Sequence, residues 1–186
     1  MNSLFDVAII GSGVAATAAA FECSKNGLKV VVIEKDLWGG TCPNKGCDPK
    51  KILWGAAQLV RYSHNIDSLF EGRIKTDWSS LIKFKRTFTQ PFPAKRKDAF
   101  VKAGIEVIEG AAYFSSPHHL QVGSHTLKAD KILIATGAKP RPLGIEGQQY
   151  AITSEQFLET AELPGSLLFI GGGFISFELA HIAATA

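Results

Sequence analysis

Cys42 and Cys47 stand five positions apart in Gly39-Gly40-Thr41-Cys42-Pro43-Asn44-Lys45-Gly46-Cys47-Asp48-Pro49-Lys50-Lys51. A close pair of thiols can exchange electrons as a disulfide or hold a metal. At about 1.5 Å and 100° per residue, a regular helix would keep their Cα atoms roughly 8 to 9 Å apart. A disulfide spans only about 4.4 to 6.8 Å. The backbone must therefore break between them, and Pro43 and Gly46 suit a break. The expectation is a strained, reducible disulfide. Helix-start N–H groups and nearby Lys50 and Lys51 favour a thiolate once the pair is reduced. No metal site is expected: zinc needs four ligands, and His64, His118, His119, His125 and His181 stand at no ligand spacing to the pair. Cys23, beside Ala19, Ala20 and Phe21, reads as an inert core thiol.

A second kind of chemistry resides in glycines. Gly11, Gly13 and Ala16 form G-x-G-x-x-A after an apolar run at 5–10, and Glu34 ends the next such run. The first glycine permits a tight turn, the second lets backbone approach a pyrophosphate, and the small third residue lets helix pack on strand. The helix start offers N–H groups and a positive dipole end to phosphates. Glu34 can accept both ribose hydroxyls of an adenosine. Gly171, Gly173 and Ser176 repeat the pattern, with Glu178 inside the following helix; a ligand-free β-to-α turn is the alternative there, because no acidic residue at the end of a next strand is in view. Two such turns imply two dinucleotides, one resident and one visiting.

The elements that must position these residues follow from periodicity. A strand at 5–10, a helix at 15–25 and a strand at 28–33 make a βαβ unit. Helices are expected at 48–62 and at 77–103, the latter broken around Pro91 and Pro93. Short strands with turn signals fill 105–127 as a small antiparallel sheet, and 131–135 reads as a buried strand. A short helix is expected at 154–160 with Ser154 as N-cap. A strand at 167–170 and a helix at 174–184 then repeat the start of a βαβ unit without completing it, so residues 163–186 are expected to be the truncated beginning of another domain.

Composition narrows the partners. The 186 residues are 46% hydrophobic, enough for one substantial core, and the formal charge is only +3. The basic clusters at 83–86 and 95–97 sit at spacings suited to a solvated helical face, which argues against nucleic acid. No apolar run reaches the roughly 18 to 20 residues of a membrane span, and no signal peptide fits, so a cytoplasmic location is expected. Three cysteines are too few for a secreted disulfide scaffold.

These motifs together resemble the class I pyridine nucleotide disulfide oxidoreductases, the family of glutathione reductase, dihydrolipoamide dehydrogenase, mercuric reductase and trypanothione reductase. The resemblance spans essentially the whole chain: Gly11 to Ala16 with Glu34, the Gly-Gly-Thr-Cys-x4-Cys-x-Pro-Lys segment, Gly110-Ala111-Ala112-Tyr113-Phe114, Ala135-Thr136-Gly137-x-x-Pro140, and Gly171 to Glu178. It implies FAD with NADPH or NADH as cofactors. It also implies that Cys47 is the charge-transfer thiol against the flavin and that Cys42 exchanges with a small disulfide substrate. Lys50 matches the lysine near flavin N5 and pairs with a glutamate matched by Glu178; Phe174 matches the aromatic gate over the nicotinamide pocket. Lys35, Gly40, Thr41, Ala112, Thr136 and Gly137 fall in the implied cofactor-binding set. Pro49-Lys50-Lys51-x-x-Trp54 is most similar to glutathione reductase. However, Ala18, Ala19 and Ala20 stand where those enzymes commonly offer an arginine, and Lys45 and Asp48 are unusual in the redox motif.

The expected architecture is α/β: a Rossmann-like, doubly wound FAD-binding domain at 1–162 with a small antiparallel sheet, then the truncated start of a second Rossmann-like NAD(P) domain at 163–186. The expected function is electron transfer from NAD(P)H through FAD and the Cys42/Cys47 pair to a small disulfide, in a protein that is a homodimer when full length; the chain by itself is expected to be inactive. A flavin- or dinucleotide-binding module without catalysis is the alternative, and the cysteine pair argues against a flavin monooxygenase.

Overall fold

The computed structural model describes residues 3–69 and 71–186. Their contacts fall into two compact units: described residues up to Asn44 with Gln90–Lys139, and Lys45–Thr89 with Pro140–Ala186.

The first unit is built on β1 (Ser3–Ile10), α1 (Val14–Lys25) and β2 (Val30–Glu34). β1 lies parallel to β2 with Val7 opposite Val30, and β2 lies parallel to β3 (Glu106–Glu109). On its other side β1 runs parallel to β6 (His125–Ile134), which continues antiparallel through β5 (His119–Val122) to β4 (Ala112–Ser116). The ladder order is β3-β2-β1-β6-β5-β4. Only two residues separate β3 from β4, a span of roughly 10 Å at most, yet the two strands close opposite ends of that order. The sheet must fold back over itself. The core records this fold: Val31 and Ile33 of β2 pack with Leu120, Val122 and Leu127, while Val30 and Val32 pack with Ala16, Ala20 and Phe100 on the opposite face. A strand buried on both faces reads as an unbroken apolar run, and Val30 to Ile33 is one. The small antiparallel sheet expected at 105–127 therefore exists as a layer sharing β6 with the parallel strands, and residues 106–109 belong to the parallel part.

Ala16 and Ala20 are fully buried, and their small side chains let α1 lie close on the sheet. Asn26 and Gly27 end the helix, with Gly27 at φ +80°. The Ser24 hydroxyl donates to Ala103 O at 2.7 Å, fastening α1 to the end of α5 (Phe92–Lys102). The strand expected as buried at 131–135 is the second half of β6, and it is not buried: Leu133 and Ile134 are exposed although the strand is central in the ladder.

The second unit is helical. α3 (Cys47–Asn65), α4 (Trp78–Thr89) and α7 (Phe174–Thr185) bury Leu53, Ala57, Trp78, Ile82, Leu179 and Ile182 together with Phe157 of α6 (Ser154–Phe157). Trp78 Nε1 donates to Thr160 O at 2.8 Å. The cap of α6 is Thr153, not Ser154: its hydroxyl accepts from Gln156 N while its own N–H donates to the Gln156 side chain. That reciprocal pair needs a Gln three residues on, and only Thr153 has one. Residues 167–170 form no strand among the described residues. A parallel strand exists only by pairing, and here Phe169 packs into the core while Leu168 stands almost fully exposed.

The basic run at 83–86 is not a solvated face throughout. Lys85 is fully buried; its ammonium donates to Leu158 O at 2.8 Å and to the Glu159 carboxylate, which Arg86 Nε also reaches at 3.1 Å. A long side chain at the buried edge of an amphipathic helix finds its charge partner in the next segment, which sequence spacing does not reveal. Removing the carboxylate strands a buried cation, whereas removing the lysine leaves a carboxylate half in water. Glu159→Gln is therefore expected to cost about 2 kcal/mol and Lys85→Met about 1, measured by urea unfolding. Burial alone would raise the Glu159 carboxyl, but Lys85 and Arg86 outweigh it and hold it below the ordinary carboxylate range. Its folded value thus lies below its unfolded one, so this stabilisation is complete above the unfolded value of about 4.3 and is lost as pH falls through the folded one. The urea midpoint of the wild type should fall more steeply with acid than that of Glu159→Gln.

Candidate functional site

In the first unit the C-terminal ends of β1, β2 and β6 converge, the place where open α/β sheets bind ligands. Gly11 closes β1 with φ +105°, its N–H donating to Ile33 O at 2.8 Å. A methyl group on Gly11 would lie 2.3 Å from Ala135 O and 3.4 Å from Thr136 Cα, so Thr136 runs beside this turn. Gly13 is the N-cap of α1 and lends it no side-chain cap, which leaves first-turn N–H groups available to an anion.

Glu34 is not loose at the end of β2. Its Oε2 accepts from Ser12 N at 3.0 Å and from the Ser12 hydroxyl at 2.7 Å, and its Oε1 accepts from Lys35 N and Asp36 N at 2.8 and 2.9 Å. Ser12, fully buried, also accepts from Gly39 N at 2.9 Å. A second glycine turn is thereby fastened to the first. Gly40, at φ +68°, approaches so closely that a methyl on it would lie 2.7 Å from Gly13 Cα. Asn44, 6% exposed, holds this turn from the other side, its amide N–H groups donating to Trp38 O at 3.0 Å and Gly40 O at 2.8 Å. Trp38 is anchored in turn by its Nε1–H to Glu109 at 3.2 Å; Lys97 first, and then that N–H, keep the Glu109 carboxyl below its ordinary range.

Of the residues expected to hold a cofactor, Gly11, Gly13, Glu34, Gly40 and Thr136 are brought together here. Ala16 is fully buried and packs α1 against the sheet; Lys35 is exposed and contributes a backbone N–H to Glu34. Ala112, at the start of β4, packs against the core cluster. Sequence reasoning passed over Ser12, Trp38 and Asn44, although Ser12 and Asn44 are polar residues inside the two glycine motifs.

The redox motif changes conformation where a break was expected. Thr41 and Cys42 open α2 (Thr41–Lys45), Gly46 leaves helical geometry at φ −141°, ψ −107°, and Cys47 begins α3. Cys42 is half-buried and Cys47 exposed. In the second unit Lys50, one turn into α3, forms an ion pair with Glu178 of α7 and sets its ammonium 5.5 Å from the Phe174 ring centroid. Phe174 is exposed and follows Gly173, the N-cap of α7; Gly171 has φ +118°. One turn further along the same helix pair, Trp54 packs on His181 at 4.9 Å between ring centroids, and Gln58 Nε2 lies 3.4 Å from His181 Nε2. Lys45 lies 3.9 Å from Glu155.

The glycine joint fits a dinucleotide by its shape: three glycines whose added methyl groups would fill or clash at the turn, N–H groups at a helix start, and a carboxylate at the end of β2. Comparison with known proteins points the same way. A family model described as "Pyridine nucleotide-disulphide oxidoreductase" matches residues 5–186. The chain is 34% identical over 190 residues to dihydrolipoyl dehydrogenase of Mycoplasma genitalium, covering 97% of this chain and 42% of that protein. It is 36% identical over 192 residues to mercuric reductase of Streptomyces lividans, with 97% and 40% covered, and 33% identical over 187 residues to glutathione reductase of Nostoc sp., with 96% and 39% covered. The chain spans about two fifths of the length of these curated relatives. Among the described residues no helix is long and apolar enough to cross a membrane.

Proposed function

Because the chain belongs to the pyridine nucleotide-disulphide oxidoreductases, whose members use FAD and NAD(P)H, we propose that it passes electrons from NAD(P)H through FAD and the Cys42/Cys47 pair to a small disulfide. The observation that carries this reading is the bond from Gly39 N to Ser12 Oγ, which fastens the dinucleotide turn to the residues that open the redox motif.

Residues Gly11, Gly13, Glu34, Gly40, Thr41, Thr136 and Gly137 would hold FAD, with Glu34 on ribose hydroxyls and first-turn N–H groups of α1 on the pyrophosphate. When bound, FAD supplies the two-electron link between the nicotinamide and the dithiol. Cys42 does the exchange: its thiolate attacks one sulfur of the substrate, the substrate S–S bond breaks, and a first thiol leaves with a proton. Cys47 then attacks the Cys42 sulfur, the second substrate thiol leaves, and the pair ends as a disulfide, two electrons and two protons poorer. Lys50, held by Glu178, places a cation one turn beyond Cys47, and Phe174 would cover the nicotinamide when NAD(P)H is bound. Gly171, Gly173 and the helix they start, within residues 163–186, belong to the nucleotide-donor domain. The glutathione-type disulfides are the proposed substrate class on the strength of Pro49-Lys50-Lys51, in a cytoplasmic homodimer.

An anaerobic titration of the flavin-loaded protein with NADPH and then NADH tests this. A long-wavelength charge-transfer band is expected with the physiological donor, followed by its loss when glutathione disulfide is added. Flavin bleaching without that band would mean that the cysteines take no electrons, and the reading would fall.

A further inference from the structure

Glu109 closes β3 opposite Glu34, its ladder partner in β2, and the next N–H, that of Gly110, donates to Glu34 O at 2.8 Å. The end of β3 is thus a fixed point. Two donors from outside the sheet meet there on one oxygen: the Trp38 indole N–H reaches Glu109 Oε1 at 3.2 Å, and the Lys97 ammonium reaches the same atom at 2.7 Å. α5 supplies Lys97 and also Phe100, against which the indole packs edge-on at 6.0 Å between ring centroids. Trp38 is only 5% exposed, so water replaces the carboxylate poorly.

Trp38 carries this anchorage into the redox motif through its backbone. Its carbonyl accepts from the Asn44 amide at 3.0 Å, and Asn44 stands two residues after Cys42 in the same short helix, α2. The neighbouring Gly39 N–H is held by Ser12. We propose that Glu109 is a positioning residue for Cys42: it fixes the Trp38 indole, Trp38 O fixes the Asn44 amide, and α2 thereby keeps the Cys42 thiol half-buried. Its catalytic meaning rests on the exchange proposed above for Cys42, whereas alkylation of the thiols needs no flavin.

Iodoacetamide labelling of the reduced chain, read by peptide mass spectrometry, gives separate rates for Cys42 and Cys47. In Glu109→Ala, and in Trp38→Phe, which keeps an aromatic ring but no N–H, Cys42 is expected to react about 3- to 10-fold faster than in wild type, the range of one hydrogen bond given up locally. Cys47, already exposed at the start of α3, should keep its rate. The double variant should be no faster than either single one, because both remove the same link. Glu109→Gln, which retains an acceptor oxygen for the indole, should stay within about twofold of wild type. Equal acceleration at both cysteines would mean general loosening. That result, an unchanged Cys42 rate, additive effects in the double variant, or a Gln variant as fast as the Ala one would each overturn the proposal. The Glu109 side chain is 64% exposed, so Glu109→Ala leaves the core intact; should Trp38→Phe not fold, the contrast between Glu109→Ala and Glu109→Gln decides. A protein that shows this labelling pattern yet forms no charge-transfer band in the titration above would lose the proposed function and keep the relay, so the two failures are distinguishable.

Discussion

Cys47→Ser is expected to abolish disulfide reduction, by on the order of 10³-fold or more, while leaving FAD bound and still reducible by NAD(P)H. The argument starts from position. Cys47 is the first residue of α3, where helix N–H groups favour an anion, and it is exposed rather than sealed in the core. Serine matches it in size but forms no thiolate at neutral pH and no S–S bond, so both the electron path and the long-wavelength band should go together. Cys42→Ser should lose disulfide reduction to the same extent yet keep the band, because the remaining thiol is the one proposed to face the flavin. Stopped-flow spectra of the two variants, set beside dye reduction by NAD(P)H, check this. A band that survives in Cys47→Ser and disappears in Cys42→Ser would reverse the two roles.

Gly11→Ala should have the largest structural effect. The residue has φ +105°, a region L side chains rarely adopt, and its new methyl would lie 2.3 Å from Ala135 O. Neither neighbour can move freely. Gly11 N is bonded to Ile33 O at 2.8 Å and Ala135 N to Ile10 O at 2.9 Å, so relief on one side breaks a ladder bond on the other. Backbone strain and overpacking each cost about 1 to 3 kcal/mol, and the sum, roughly 2 to 6 kcal/mol, is a large part of the stability of an ordinary domain. The variant is expected to accumulate without FAD or not at all. Gly27→Ala is the control: it shares a positive φ, +80°, but meets nothing within 4 Å. It should cost only about 1 to 2 kcal/mol and keep its flavin. Comparable losses in both variants would show that the left-handed backbone, and not the approach to Ala135, is what Gly11 serves.

The relation between these two residues and the rest of the chain shows why some of the site is local and some is not. A glycine that must turn, an apolar run that must lie between two layers, and a helix broken at Gly46 are all consequences of neighbouring residues, although Pro43, also expected to break it, sits inside α2. Each therefore leaves a mark in the order of the sequence. The N-cap of α6 is Thr153 rather than the expected Ser154, because the two are equally good hydroxyl caps by type and the Gln156 side chain selects between them. Lys85 belonged by spacing to a charged surface, and only the approach of Leu158 and Glu159 makes it a buried ion.

Strand period, turn stereochemistry and cysteine spacing act over a few residues, so the βαβ start, the glycine turns, the redox motif and the family they imply are legible in the order of the residues. The tertiary structure alone decided that the sheet folds back so that β6 serves two layers. It also decided that Ser12 holds Glu34 and Gly39 at once, that Lys50 meets Glu178 across 128 positions, and that Asn44 is left with a buried oxygen. Those outcomes depend on where the second partner of a hydrogen bond or ion pair arrives after folding. A polar side chain states in sequence that it needs a partner, but not which one it will find.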